Sequence, residues 1–593
     1  MRPHRSTLAL GATPLAAALI ACATATAPPP PPADLVLRGG QIFSAGASDS
    51  LAEALAVRGG RVVFVGDDTE AARYIGLATR VVELAGKFVM PGIVDGHVHP
   101  LKGGQILSSC SLKYEALTRT QLRDRVAACL AAEPNAGPDD WLEVWTWQAQ
   151  AIVPAGARIT KKTLDRLDTR RPILVRGADG HNALANSRAL AIAGISADTL
   201  DPPGGKLLRD PDGAPNGYLV DGGIALVASA LPPLTVETLQ RHLTAAHAHM
   251  LEIGVTSYLA AAVTTDQLAA WMPTPPGPRA HLAILVDPTI EREPNPVAAR
   301  VRALRDGMRQ PSLHIDTIKF FLDGVMEYPA QTAALLSPYL GGDDGELYAD
   351  PGVLARLATR LEADGWQLHF HAIGDRAVRT ALDAIAAARA ANGPRDARHT
   401  LTHLELVDPA DVERFAALGA VANFSPQWAQ RDAYTIDTLE PYLGGERHAR
   451  LYPVRDLLKA DARVSFGSDW PVDSDDRLDA IETAVTRERA QLEPGALPGV
   501  LGKSQRLSVA EALRAYTAGA AYQLRREAEL GSLTPGLLAD FIVLDGNPFE
   551  IPHHEISELR VLETWMDGTR VYARDPALAA GGSPPPVGAG PRP

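Results

Sequence analysis

Met90-Pro-Gly-Ile-Val-Asp-Gly-His-Val-His99 is the stretch on which the fold turns. Gly92 to His97 reads as a short buried strand, apolar at first and ending in ionisable groups. Alternate residues of a strand face one side, so the imidazoles of His97 and His99 can face one ion together. The same spacing also describes a surface pair, so the weight falls on what surrounds it. Working outward, further apolar runs follow at Gly254–Tyr258, His281–Val286, Thr317–Phe320, Gln367–His371, Thr400–His403, Ala420–Phe424 and Arg463–Asp469. Helix-type patterns such as Pro351–Ala363 and Arg376–Ala391 separate most of them. Strands alternating with helices predict βα units around a parallel sheet. Eight strands are the number that closes a (β/α)8 TIM barrel. A doubly wound open sheet competes, but no strand is followed by a Gly-rich dinucleotide turn.

The flanks have a different texture. Short β-type runs at Asp34–Arg38, Ala54–Val57, Arg61–Val65 and Arg80–Glu83 are punctuated by the glycine pairs 39–40 and 59–60, as hairpins are. Similar runs return at Asp540–Leu544 and Val561–Trp565. Residues 101 to about 240 fall outside the βα repeat and read as a domain inserted after strand one. The expected order is therefore 34–88, a barrel over 89–530 with its insertion, 531–575, and a Gly/Pro/Ala-rich tail over 576–593 without core-forming residues.

Composition narrows the function classes. A chain of 593 residues with 46% hydrophobic and 21% charged residues is built like a globular protein. Its net charge of −13 argues against a nucleic-acid partner, which calls for a basic stripe. At the N-terminus, Arg2, His4 and Arg5 precede the Ala/Leu-rich stretch Leu8–Ile20, the pattern of a signal peptide over 1–21. It ends in Leu19-Ile-Ala-Cys22, which resembles a bacterial lipobox and implies export, cleavage before Cys22 and a lipid anchor there, most simply in an outer membrane facing the periplasm. An ordinary secretory signal is the alternative. The following linker, 22–33, holds the proline run Pro28–Pro32 and favours an extended chain of roughly 30 Å. Cys110 and Cys129 then remain, either as a disulfide or as two buried thiols.

Chemistry gathers where barrel active sites lie, at the C-terminal ends of the strands. His97 and His99 close strand one, Lys319 lies on strand four, His371 ends strand five, His403 ends strand six and Asp469 ends strand eight. Ligand-type side chains at five of the eight strand ends are hard to ascribe to chance.

On these residues the sequence resembles the metal-dependent amidohydrolase superfamily. Met90–His99 matches its strand-one motif, and His371-Ala-Ile-Gly-Asp375, Thr402-His-Leu-Glu405 and Gly467-Ser-Asp-Trp-Pro-Val472 look like the branch containing N-substituted formamide deformylase. So do Asp179-Gly-His-Asn182, Asn186–Leu190, Gly254–Ser257 and Lys319–Gly324. Gly531–Gly536 and Ala539-Asp540 resemble the closing stretch that completes a small β-sandwich begun by the N-terminal segment.

The resemblance implies one or two divalent ions, zinc by ligand type, with His97, His99 and Asp469 on one and His371 and His403 on the other. Lys319 would bridge them as a carbamate, which needs an uncharged amine; its other reading is a cation paired with Asp323 or Glu327. Such a metal makes water nucleophilic near neutral pH. Asp469 would take the proton and return it to the leaving amine, and His181 would polarise the carbonyl of a small-molecule amide, an N-acyl or N-formyl amine. His181 reads equally as a loop histidine. A cyclic amide, ester or lactone is the alternative substrate, and a non-catalytic barrel the alternative role. His369 is expected to face away from the ligands or to support them, and His247 and His249 to be structural on a helix. Trp141, Trp145 and Trp147 line either a pocket or the core of the insertion. One departure stands out: strand two continues into the apolar Tyr258-Leu-Ala-Ala-Ala262, where this branch suggests a polar turn.

Overall fold

The computed structural model describes residue 1 and residues 30–574, apart from 150, 155, 203, 309, 311–312, 433, 474 and 489–496. The signal stretch, Cys22, Pro28, Pro29 and the tail 576–593 lie outside the described residues.

Eight parallel strands form one sheet: Ile93–Val98, Val255–Val263, Arg279–Leu285, Leu313–Phe321, Gln367–Ala372, Thr400–His403, Val421–Phe424 and Arg463–Phe466. Each pairs with its sequence neighbour, and the two edges are drawn together at the top by Asp469 N–H donating to His97 O (2.8 Å) and His99 N–H to Trp470 O (2.9 Å). The sheet is thus a nearly closed (β/α)8 barrel. Its strands are buried on both sides, as in Gln367–Ala372, because outer helices cover one face and inward side chains fill the other. Strand two runs on through Val263 in place of the expected polar turn; continuous apolar burial favours extending a strand over ending it.

The helices begin where sequence chemistry starts helices. Asp350 and Asp408 cap helices opening with Pro351 and Pro409, their carboxylates accepting from Val353 N–H (2.8 Å) and Ala410 N–H (2.9 Å). The helix Asp375–Asn392 buries Ala377, Val378, Ala381, Leu382, Ile385 and Ala388, a stripe at helical spacing that closes against the barrel.

A six-stranded sheet lies between strands one and two of the barrel, in the order Gly205–Arg209, Pro215–Asp221, Asn182–Ala185, Ile173–Gly177, Leu142–Trp147, Cys110–Ser111. Cys110 and Cys129 are joined in a disulfide, with Cα atoms 5.8 Å apart, tying this sheet's edge to the helix Arg119–Ala132. Two further sheets flank the barrel. One is N-terminal: Arg61–Gly66, Ala54–Arg58, Leu35–Arg38, Arg80–Glu83. The other mixes the two ends of the chain, pairing Gln41–Ile42 with Phe88–Pro91 and that strand with Phe541–Leu544. Leu37, Leu55, Val89, Phe541 and Trp565 pack between the two sheets as the core of a sandwich.

Candidate metal centre

Strand one delivers the first ligands because its neighbours force its geometry. Asp95, fully buried, accepts from the N–H groups of His97 (3.2 Å) and Ser468 (3.0 Å), from Ser468 Oγ (2.7 Å) and from Arg477 Nε (3.0 Å). One carboxylate therefore fixes the ends of strands one and eight, which carry His97 and Asp469. Gly467 lies so close that a Cβ there would come within 2.5 Å of His97 Cβ. His403 and Asp469 have φ of 79° and 55°, so the chain turns at each strand end and aims both side chains inward.

The ligand atoms of His97, His403 and Asp469 all lie within 4.8 Å of one another, and all three residues are buried. His99 Nε2 is 3.0 Å and His97 Nε2 3.2 Å from Asp469 Oδ1. His403 lies with His97 and Asp469, and His99 also meets Asp469, so the ligand atoms of the two expected ion sites adjoin one another. His371 borders the same cavity, its ring 4.5 Å from that of His403, and its Nε2 faces Gly324 O (3.1 Å) and Asp323 Oδ1 (3.6 Å).

Lys319 is fully buried, and among the described residues its Nζ has no hydrogen-bond partner. It pairs with neither Asp323 nor Glu327; Asp323 instead accepts from the N–H groups of Ala334, Ile373 and Gly374. Burial lowers the Lys319 pKa to about 7, against the opposing pull of Asp469. His369 does not face away: it stands beside Lys319 across strands four and five, its Nε2 2.7 Å from His97 Nδ1, because i and i+2 on strand five share a face.

Burial also holds His97 neutral, with a pKa lowered to about 3, and keeps His371 and His403 well below the ordinary imidazole range. Burial opposes ionisation of Asp469, yet His97 and His99 outweigh it and hold the carboxyl well below the usual range. The donor set is thus neutral imidazoles around a carboxylate, the form in which these groups bind a cation. Among the described residues, the buried Lys319 Nζ and His403 Nδ1 have no hydrogen-bond partner, while His97 Nε2 and His99 Nε2 crowd Asp469 Oδ1. An unpaired buried polar atom costs about 1–3 kcal/mol, so two of them beside the His97–Asp469 pair mark a place that a cation would complete.

His181 comes from the insertion, on the loop between Ile173–Gly177 and Asn182–Ala185, and its ring lies 5.9 Å from that of His371. Its Nδ1 is 2.5 Å from Asp221 Oδ1, and Asp221 Oδ2 accepts from Thr332 Oγ1 (2.9 Å) on the loop after strand four. Burial alone would lower the His181 pKa, but Asp221 and then Asp179 raise it to about 9. Sequence reasoning missed Asp221, whose residue type was visible but whose approach to His181 is purely tertiary. It also missed Trp428, stacked on His403 with centroids 5.4 Å apart. Asp95 stood unused in the opening motif.

Of the remaining sequence expectations, His247 and His249 lie on the helix Val236–Glu252, bound to Tyr258 Oη (2.7 Å) and to Asp475. Trp147 packs in the insertion's core, while Trp145 lines a cavity.

A barrel with ligand-type groups at the C-terminal strand ends is the architecture of a hydrolase that works through a bound cation. Comparison with known proteins makes the class specific: residues 80–572 match the model of the Amidohydrolase family, and the chain belongs to that family. It is 31% identical to the protein LONG AFTER FAR-RED 3 of Arabidopsis thaliana, over 91% of this chain and 92% of that one. It is 27% identical to the N-substituted formamide deformylase of Arthrobacter pascens, over 91% of this chain and 98% of that one. Among solved structures, an uncharacterized metal-dependent hydrolase from Pyrococcus horikoshii shares the fold with a TM-score of 0.68 at 24% identity, covering 88% of this chain and 99% of the other.

Proposed function

We propose that this protein hydrolyses an amide-type C–N bond of a small molecule, an N-acyl or N-formyl amine, using a divalent ion, zinc by ligand type. The observation that carries the reading is the convergence of the buried ligand atoms of His97, His403 and Asp469 within 4.8 Å of one another, with the buried Lys319 Nζ unpartnered among the described residues. His97, His99, His403 and Asp469 would hold the ion, with His371 and Lys319 available to a second; Lys319, held near neutrality, is suited to forming a carbamate. When bound, the ion supplies Lewis acidity and brings the pKa of water near neutral.

The chain's own groups do the rest. Asp469 accepts the proton of the attacking water and returns it to the leaving nitrogen, a base and then an acid. His181, kept protonated by Asp221, donates a hydrogen bond to the substrate carbonyl oxygen as negative charge develops there. The buried surroundings strengthen each of these interactions by excluding water. The kinship with the formamide deformylase supports the C–N bond as target.

The test is elemental analysis of purified protein, then a screen of N-acyl and N-formyl amines before and after chelation. One to two equivalents of divalent metal, and chelator-sensitive release of amine, are expected. Metal-free protein with full activity, or metal-loaded protein that cleaves only esters or lactones, would overturn the reading. We further propose, from Leu19–Cys22 alone, that the exported enzyme is anchored through Cys22: Cys22→Ala should leave the membrane fraction, and wild type without lipid at Cys22 would end that proposal.

A further inference from the structure

Beside the metal centre lies a cavity of about 310 Å³ bounded by Lys102, Trp145, Arg176, Asn182, Ile224 and His242. It joins the barrel to the insertion. Lys102 stands on the helix Pro100–Leu107, whose N-cap is the candidate ligand His99; Lys102 is three positions further on, about 5 Å along the axis. Gly180 and Asn182, which flank His181, form part of the same wall.

The charges in this cavity are unequally engaged. Arg176 is held: its Nε donates to Glu143 (2.6 Å), and its guanidinium lies over the Trp145 ring at 4.9 Å. Lys102 is different. Among the described residues its ammonium has no ion pair within 4 Å; burial lowers its pKa from the ordinary lysine value, and Asp469 and Asp179 oppose that shift. Nζ rests against Gly180, where an added Cβ would come within 3.0 Å, so the missing side chain leaves room for the ammonium. His242 Nδ1 on this wall is buried and has no hydrogen-bond partner among the described residues.

We infer that this cavity is the substrate-specificity subsite, and that Lys102 binds an anionic group, a carboxylate, carried on the amine side of the scissile amide. The inference rests on the amide-hydrolase reading of the same centre and deepens it. Lys102 supplies a charge-assisted hydrogen bond to the anion. Leu101, Ile224, Leu234 and Leu239 provide apolar wall for the substrate's side chain. The nearness of Lys102 to Asp469 suits a carboxylate close to the scissile bond, as in an N-acyl amino acid.

The test uses N-acetyl-leucine and its neutral counterpart N-acetyl-leucinamide with the metal-loaded, full-length protein. Calorimetric binding should favour the acid by about ten-fold or more in wild type, the effect of one charge-assisted hydrogen bond. Lys102→Met should collapse that ratio toward one, Lys102→Arg should retain most of it, and Lys102→Glu should reverse it. Equal binding of acid and amide by wild type overturns the subsite, whatever the variants do. Preference for the acid that survives in folded Lys102→Met overturns the role of Lys102. Tight, Lys102-dependent binding of the acid without cleavage of any amide would leave the subsite standing while the hydrolase reading falls.

Discussion

Asp469 and Lys319 border the same cavity, but their chemistry separates them. Asp469→Asn keeps the shape and one oxygen ligand while removing the base, so kcat should fall by roughly 10²–10⁴-fold. Metal content, measured in parallel, should fall much less. Lys319→Ala removes a buried nitrogen that no other side chain replaces, and metal and activity should be lost together, with partial rescue by short carboxylic acids. Unaltered metal and rate in that variant would reduce Lys319 to a structural residue. Asp221 acts one step back, through His181. Because its carboxylate raises the His181 pKa to about 9, the alkaline limb of the kcat profile should sit near that value in wild type. Asp221→Asn removes the cause, so that limb should move toward neutral pH; a limb that does not move would show that His181 is not the titrating donor.

At the scale of elements, the centre depends on how strands one and eight are tied. Asp95 and Arg477 are both buried and joined at 2.8 Å, with Ser468 completing the carboxylate's partners. Arg477→Met leaves that carboxylate buried without its cation, a change that typically costs about 3–5 kcal/mol. Denaturant unfolding should register it, and metal affinity should weaken as His97 and Asp469 lose their common anchor. The insertion has its own tie. The Cys110–Cys129 disulfide closes a short loop, so Cys110→Ser with Cys129→Ser should cost about 3 kcal/mol in the chain-entropy account. Limited proteolysis should detect the loosening within the insertion before the barrel is cut.

For the whole molecule, the metal centre makes stability depend on pH. His97 has a folded pKa of about 3 against an ordinary 6.5, and His371 and His403 are lowered in the same direction. The unfolded chain thus binds protons below pH 6.5 that the metal-free fold excludes. Stability of the metal-free protein should fall on acidification from pH 6.5 toward 3, by up to about 1.4 kcal/mol per pH unit for each such imidazole. Melting temperatures of chelated protein measured across that range check the sign; a flat profile would mean that these histidines are protonated in the fold.

The sequence by itself determined the barrel. Each strand is an apolar run bounded by helix patterns, a signal that survives without knowing any contact, and Gly92–His97 to Arg463–Asp469 all fall on observed strands. Strand ends are also where a barrel keeps its chemistry, so His97, His99, Lys319, His371, His403 and Asp469 were legible as a set. Their grouping was not. Which imidazole meets which carboxylate depends on inter-strand register and on the left-handed turns at His403 and Asp469. The contact of His369 with His97, the reach of Asp221 to His181 and the position of Lys102 over a cavity depend on chain segments far apart in sequence. Periodicity reports which face of an element is buried; only packing decides what that face meets.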